Sequence, residues 1–222
     1  MRYYKNHWLY ANNPISGAYL RNAYEKGIEI LKKLDFRPDF TKTNFMSLLC
    51  GVGNERTADE FITFVTKRNA AATIWIIDIA EENLKAVPEL VTKKYPSLSI
   101  HIKKINALDL LTIIPKNSVD WIETDAFIEF FDNASLEKLL VVWRELLKPN
   151  GFITTRDYVN GGTWSSIIIN PLRYVVMEVW LGVKIYKHTQ KDFDTVFKKV
   201  ELRVVEEPSF LPTYKYFSLM KK

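Results

Sequence analysis

A glycine turn that follows a short apolar run is the feature of this sequence most typical of a ligand site. The run at residues 45–49 predicts a buried strand, and Cys50, Gly51 and Gly53 follow it directly. Glycine lets a backbone approach a ligand closely and adopts positive φ at little cost. In α/β proteins, a glycine turn between a strand and a helix holds nucleotide-like cofactors.

Polar residues also follow the later predicted strands. Asp78 closes an apolar run at residues 72–77, and Asn106 follows an alternating run at residues 99–105. A carboxylate can accept hydrogen bonds from both hydroxyls of a ribose, and an asparagine oxygen can accept one from an adenine amino group. Each residue also has a structural interpretation, as a turn or a helix cap. The residues expected at the same edge of a parallel sheet are Cys50, Gly51, Gly53, Asp78, Asn106, Asp109, Thr124, Asp125, Ala126 and Phe127.

The elements that must position these residues alternate between helix and strand. Pro88 predicts a break inside one helix, and Thr189 predicts the N-cap of the last one. Strict alternation favours a parallel sheet with helices on both faces. The spacing predicts helices at 16–34, 58–68, 81–94, 135–147 and 190–200, strands at 45–49, 72–77, 99–105, 119–124 and 152–155, and a closing hairpin at 201–207 and 214–220.

Composition limits the classes of protein to consider. The chain has 222 residues, 47% of them hydrophobic, which suffices for one domain with a full core. Its net charge of +5 is modest, and its lysines occur as scattered pairs, which indicate a solvated surface rather than a nucleic-acid stripe. One cysteine permits no internal disulfide, and no apolar stretch is continuous enough for a membrane span. We therefore expect a soluble, cytoplasmic protein that is a monomer or a homodimer.

The glycine turn differs from the fingerprint of a dinucleotide site. That fingerprint places a third glycine at the position of Arg56. Glu55, near the predicted helix start, would also repel a pyrophosphate held there. A cofactor with ribose, adenine and an ammonium group but no phosphate fits better, and S-adenosylmethionine is such a cofactor.

With these segments in order, the chain resembles the class I S-adenosylmethionine-dependent methyltransferases, and specifically their small-molecule group. The resemblance extends over residues 45–219. It rests on the glycine segment 47–55, the ribose-binding segment 77–82, the pair Asn106-Ala107, the strand and turn at 119–130, the Leu-Leu-Lys-Pro-Asn-Gly segment 146–151 and the helix start at 188–197. Ser47 and Leu49 stand where the family usually has an acidic residue and its first glycine.

The resemblance implies a fold, a cofactor and a set of contacts. The fold is a seven-stranded Rossmann-like sheet, mostly parallel, with a C-terminal antiparallel hairpin and helices on both faces. The expected parts of this single domain are a helical N-terminal segment at 1–40, a cofactor-binding core at 41–157, a lid insertion at 158–188, and the last helix with the hairpin at 189–222. S-adenosylmethionine would contact Cys50, Gly51, Gly53, Asp78, Ile79, Asn106, Ala107 and Thr124.

Methyl transfer to a small-molecule nitrogen or oxygen is the activity we expect. It needs alignment and a dry pocket. The three histidines lack cysteine partners at metal-ligand spacing, so we expect no metal. Candidates to act on the acceptor are Asp125, Glu129 and His188. A helix-start histidine that faces water is the simpler interpretation of His188, and a surface position on a helix is the alternative for Glu129. Aromatic and polar residues expected to line the acceptor pocket are Tyr4, His7, Trp8, Trp164 and Tyr174.

Other activities remain open on the sequence alone. Ser47 and Leu49 motivate a module that binds the cofactor without catalysis. The same fold could transfer another group, such as an aminopropyl group. The turn after the fourth strand lacks the Asn/Asp-Pro-Pro-aromatic pattern of enzymes that methylate base amino groups, so nucleic acid is a less favoured partner. RNA ribose or protein acceptors stay as alternatives.

Overall fold

The computed structural model describes residues 14–161, 170–180, 182–211 and 213–221, with side chains from residue 17 onward. A seven-stranded sheet in the order β3-β2-β1-β4-β5-β7-β6 forms its centre. The first five strands are parallel, and β7 pairs antiparallel with both β5 and β6. The strands are β1 Met46–Cys50, β2 Thr73–Asp78, β3 Ile100–Lys104, β4 Val119–Asp125, β5 Leu147–Tyr158, β6 Leu202–Pro208 and β7 Tyr214–Lys221.

Helices cover both faces of the sheet. One face carries α1 Pro14–Ile30, α2 Glu55–Thr66, α3 Glu81–Leu84 and α4 Val87–Lys94, and the other carries α5 Asn133–Leu146 and α6 Gln190–Lys199. Short 3-10 turns lie at Leu31–Leu34, Ala107–Thr112 and Ile128–Phe130.

The position of β1 between two helical layers explains why its sequence is mostly apolar. Leu48 and Cys50 pack into the core beneath α5 and α6, whereas Leu49 packs into the core beneath α1 and α2. Successive side chains of a strand point to opposite faces, so a strand covered on both sides needs an apolar residue at nearly every position. Ser47 is the exception, and its buried hydroxyl has no hydrogen-bond partner among the described residues.

The fold class predicted from the sequence is confirmed by this topology, closing hairpin included. The predicted break at Pro88 separates α3 from α4, and Pro88 lies in the first turn of α4. Thr189 caps α6, with Asp192 completing a reciprocal capping box.

The fifth strand differs from its prediction. We expected it at residues 152–155, but β5 runs from Leu147 to Tyr158. Arg156 and Asp157 look like loop residues in the sequence, yet they pair with β4 and β7 inside the sheet. The extension places two charged residues at the carboxyl edge of the sheet.

The predicted lid region is described from residue 170 to 180 and again from 182. Residues 170–174 are α-helical and continue into a π-helix at Val175–Trp180. Several of its apolar side chains, such as Leu172 and Val179, are exposed. Of the helices in the described part of the chain, none combines the length and apolarity that a bilayer span requires.

Candidate cofactor and acceptor site

The glycine turn lies at the carboxyl edge of the sheet, between β1 and α2. Gly51 has a φ of +80°, a conformation that favours glycine, and its N–H donates to the carbonyl of Ile77 at 3.0 Å. A Cβ atom added to Gly51 would lie 2.5 Å from Cδ2 of Phe127. Two independent constraints, backbone conformation and the Phe127 ring, therefore require glycine at this position.

Asp78 holds the same turn from the end of β2. Its Oδ2 accepts from the N–H of Val52 at 2.9 Å and from the side chain of Asn83 at 3.2 Å, and its Oδ1 accepts from the N–H of Ala80 at 2.7 Å. Burial raises the pKa of Asp78, and these hydrogen bonds act in the opposite direction. A carboxylate has about four lone-pair sites, so hydrogen bonds within the protein occupy most of the accepting capacity of Asp78. Ile79 beside it is exposed.

Replacing Asp78 by asparagine should weaken cofactor binding by about tenfold, because asparagine retains one acceptor oxygen and loses the charge. Calorimetric titration with S-adenosylmethionine measures this change. Glu82→Gln is the matched control, since Glu82 is an exposed carboxylate of the adjacent helix. Equal losses in both variants would contradict a specific contribution from Asp78.

Asn106 and Thr124 complete the edge. The side-chain oxygen of Asn106 accepts from the N–H of Leu108 at 3.0 Å and so caps the turn that contains Ala107. The Thr124 hydroxyl donates to the carbonyl of Cys50 at 2.8 Å, which joins the end of β4 to the end of β1. The structure brings these predicted contact residues together through protein hydrogen bonds, while their contact with a cofactor stays a prediction.

A cluster of charged side chains, most of them buried, lies beside this edge, where β4 and β5 end. Its carboxyl groups are Glu123, Asp125, Glu129 and Asp157, and its guanidinium groups are Arg156 and Arg173. Arg156 pairs with Asp125, with Nε 2.9 Å from Oδ1 and Nη2 3.0 Å from Oδ2. Arg173, from the 170–174 helix, pairs with Glu129. Burial is the main cause that raises the pKa of all four carboxyl groups.

Asp157 is fully buried at the end of β5 and fixes the turn after β4. Its Oδ1 accepts from the N–H of Ile128 at 2.9 Å, and its Oδ2 accepts from the Thr155 hydroxyl. Burial raises the pKa of Asp157 to about 7, against an ordinary value of 3.8. The folded protein therefore holds this proton at pH values where the unfolded chain has lost it. The resulting stability is fully present below about pH 4 and is lost as the pH rises through about 7.

The stability of the wild-type protein should accordingly fall as the pH rises from about 5 to about 8, and Asp157→Asn should make that fall shallower. Urea unfolding midpoints across this range measure the slope. Asp132→Asn is the control, because the exposed Asp132 has a lowered pKa and is ionised throughout. If Asp157→Asn leaves the pH dependence of stability unchanged, the assignment of that dependence to Asp157 is wrong.

His188 has both ring nitrogens engaged. Nδ1 lies 2.9 Å from the side-chain oxygen of Asn133, and Nε2 lies 2.8 Å from the carbonyl oxygen of Phe131. Burial lowers its pKa, so the neutral ring is favoured. These contacts tie the start of α6 to the start of α5. The His188 side chain is buried, so the expectation that it faces water is wrong. Glu129, whose alternative was a surface position, is also buried.

The predicted acceptor pocket is described only in part. Tyr4, His7, Trp8 and Trp164 lie outside the described residues. Tyr174 is 46% exposed on the 170–174 helix, next to Arg173. Sequence analysis did not predict four residues that lie near this candidate site, which are Arg156, Asp157, Tyr158 and Arg173. The first three were expected beyond the end of the fifth strand. In the described part of the chain, histidine, cysteine and carboxylate side chains form no group of three able to hold a metal ion.

No sequence-family model matches the chain, and no curated protein matches it by sequence. Solved structures do. The YcgJ protein from Bacillus subtilis matches with a TM-score of 0.63 at 12% identity, over 89% of this chain and 99% of that one. A SAM-dependent methyltransferase from Methanosarcina mazei matches with a TM-score of 0.57 at 14% identity, over 82% and 94% of the two chains.

An O-methyltransferase family protein from Burkholderia thailandensis matches with a TM-score of 0.61 at 13% identity, over 80% of this chain and 51% of that one. This chain therefore spans about half of the Burkholderia protein. At these identities the similarity concerns the fold, and S-adenosylmethionine is the cofactor that this fold leads us to expect. The strand order, the closing hairpin and these matches show that the chain has the class I S-adenosylmethionine-dependent methyltransferase fold.

Proposed function

We propose that this chain binds S-adenosylmethionine at the glycine turn and catalyses methyl transfer to a nitrogen or oxygen of a small molecule. The observation that carries the proposal is the arrangement of the sheet edge. The Gly51 turn, Asp78 and the turn after Asn106 stand beside the buried charge cluster at the ends of β4 and β5.

The residues present fit the expected cofactor. Gly51 has the positive φ that brings its backbone to the edge, Asp78 places a carboxylate there for the ribose hydroxyls, and the exposed Ile79 offers an apolar surface for adenine. Glu55 lies in the first turn of α2, where its charge disfavours a phosphate and suits an ammonium group. When bound, S-adenosylmethionine supplies an electrophilic methyl group on a sulfonium.

The chain's own residues supply position and proton transfer. Asp125 and Glu129 place carboxylates at the end of β4, beside the turn that Thr124 ties to β1. Arg173 and Tyr186 connect the predicted lid to Glu129, the first through its side chain and the second by an N–H to the Glu129 carbonyl at 2.7 Å. A lid held there would exclude water from the acceptor, which strengthens electrostatic interactions within the site.

A transfer experiment tests the activity. The protein is incubated with methyl-labelled S-adenosylmethionine and a small-molecule metabolite extract, and labelled products are separated by mass. We expect label in one or a few small molecules, and much less label with Gly51→Ala at the same low cofactor concentration. Label that appears only in added protein or RNA fractions would contradict the small-molecule assignment.

A module that binds the cofactor without catalysis is the second candidate. Phe127 supports it, because its ring lies against Gly51 at the edge where the cofactor must approach. Saturable cofactor binding with no labelled product from any of the three acceptor fractions would favour this candidate.

A further inference from the structure

Two guanidinium groups lie over tyrosine rings at the acceptor side of the site. The Arg173 carbon Cζ lies 3.8 Å from the ring centroid of Tyr158 and 5.2 Å from that of Tyr214. Arg156 lies 4.0 Å from the centroid of Tyr19 and 5.1 Å from that of Tyr214. A cation within about 6 Å of a ring centroid is attracted by the ring quadrupole. The Tyr214 ring therefore lies within this distance of both guanidinium groups.

The tyrosine rings stabilise guanidinium groups that lack a full set of hydrogen-bond acceptors. Nη1 of Arg156 and Nη1 of Arg173 are buried and have no hydrogen-bond partner among the described residues. Each arginine places another nitrogen against a carboxylate, of Asp125 and Glu129 respectively. Each cation is therefore held by one carboxylate and by ring faces.

The balance of charge at this edge favours a further cation. In the described part of the chain, three buried carboxyl groups and the half-buried one of Asp125 meet two guanidinium groups here. After burial, the repulsion among the carboxylates is a further cause that raises the pKa of Asp125, Glu123 and Asp157. An added cation relieves this repulsion, and an added anion increases it.

We propose that Glu129, Tyr158 and Tyr214 form the recognition site for the cationic head of an amine acceptor, and that the guanidinium of Arg173 occupies this site in the structure. The identification of the bound cation as a methyl acceptor rests on the proposed function, whereas the cation site itself does not. Arg173 belongs to the predicted lid, whereas Glu129, Tyr158 and Tyr214 belong to the sheet edge. Arg173 then acts as a tethered cation that an incoming ammonium group displaces.

Glu129 has a second role in this arrangement. Once Arg173 moves away, its buried carboxylate faces the ammonium group. The ammonium proton passes to a Glu129 oxygen, which leaves a neutral carboxyl group and a neutral amine. The nitrogen then has the lone pair that it needs to accept a methyl group. Burial, which raises the pKa of Glu129, favours the protonated form.

Three probes of one shape test the charge preference. They are choline, its neutral analogue 3,3-dimethylbutan-1-ol and the anion 3,3-dimethylbutanoate, each titrated calorimetrically into the wild-type protein and Arg173→Ala. We expect choline to bind about tenfold more tightly to Arg173→Ala, because its tethered competitor is gone. The neutral and anionic probes should bind weakly to both proteins. Arg68→Ala is the matched control, since Arg68 lies over Phe64 at 3.6 Å, paired with Glu25 instead of the cluster.

Opposite results overturn the proposal. If the wild-type protein prefers the anion and Arg173→Ala loses it, Arg173 is an anion anchor. If choline binds no more tightly to Arg173→Ala, the tethered-cation role is wrong. If saturating S-adenosylhomocysteine abolishes choline binding, the cation site belongs to the cofactor. Failure of S-adenosylmethionine to bind, with choline selectivity intact, would contradict the proposed function and leave the cation site standing.

Arg173→Ala leaves the Glu129 charge unpaired, which destabilises the fold. Additional variants test the proposal if Arg173→Ala does not fold. The double variant Arg173→Ala with Glu129→Gln removes both charges, and we expect it to fold and to bind choline no better than the wild-type protein does. In the Arg173→Ala background, Tyr214→Phe should keep choline binding and Tyr214→Leu should weaken it about tenfold. Equal binding by the phenylalanine and leucine variants would exclude the ring as a contact.

Discussion

Gly51→Ala should weaken the binding of S-adenosylmethionine by about 100-fold, the combined cost of a strained backbone and a displaced ring. At a φ of +80°, an alanine side chain crowds its own backbone, and the added Cβ atom meets Phe127 at 2.5 Å. The turn must then shift, and Val52, the next residue, loses its alignment with Asp78. Calorimetric titration measures the affinity, and thermal unfolding measures the accompanying loss of stability.

Two controls separate strain from ligand contact in this variant. Gly182 has a φ of +69° outside the glycine turn, so Gly182→Ala should lower stability while leaving cofactor affinity unchanged. Adding Phe127→Ala to Gly51→Ala removes the ring that the new Cβ atom meets, and should restore part of the stability but little of the affinity. Full recovery of affinity in this double variant would show that Gly51 serves only to accommodate Phe127.

Glu129→Gln should lower the turnover of methyl transfer by about 100-fold, the lower range for loss of a general base. Glutamine preserves the size of the side chain and can still accept from Arg173, but it cannot take a proton from the acceptor. Asp125→Asn should have a smaller effect, because Arg156 is fixed in β5 and keeps the Asp125 carboxylate paired, whereas the proposal moves Arg173 away from Glu129. Initial rates at saturating cofactor measure both variants.

A surface carboxylate provides the control for these rates. Glu137→Gln removes a carboxylate that pairs with Lys199 on the helical face, and turnover should stay at the wild-type level. Unchanged turnover in both Glu129→Gln and Asp125→Asn would remove the idea of a carboxylate base. The site would then act through alignment alone.

The central strands could be predicted because their local sequence and their environment agree. The strands β1 and β2 are buried on both faces, so their apolar runs have few competing interpretations. Pro88 and Thr189 act through local backbone geometry, which is why a helix break and a helix cap could be placed from the sequence.

The carboxyl end of β5 could not be predicted because its residues are charged. Arg156 and Asp157 lie inside the sheet only because each finds a partner from a distant segment, Asp125 for the first and the Ile128 N–H for the second. The pairing of Arg173 with Glu129 joins residues 44 positions apart. No local pattern signals contacts of this kind, and they hold together the charge cluster at the ends of β4 and β5.

Direct titration with S-adenosylmethionine and with its demethylated product, S-adenosylhomocysteine, tests the central claim most directly. We predict saturable binding of both at one site per chain, with the affinity reduced by Gly51→Ala and Asp78→Asn and unchanged by Glu82→Gln. Absence of detectable binding for either compound to the folded wild-type protein would contradict the claim that this sheet edge is a cofactor site.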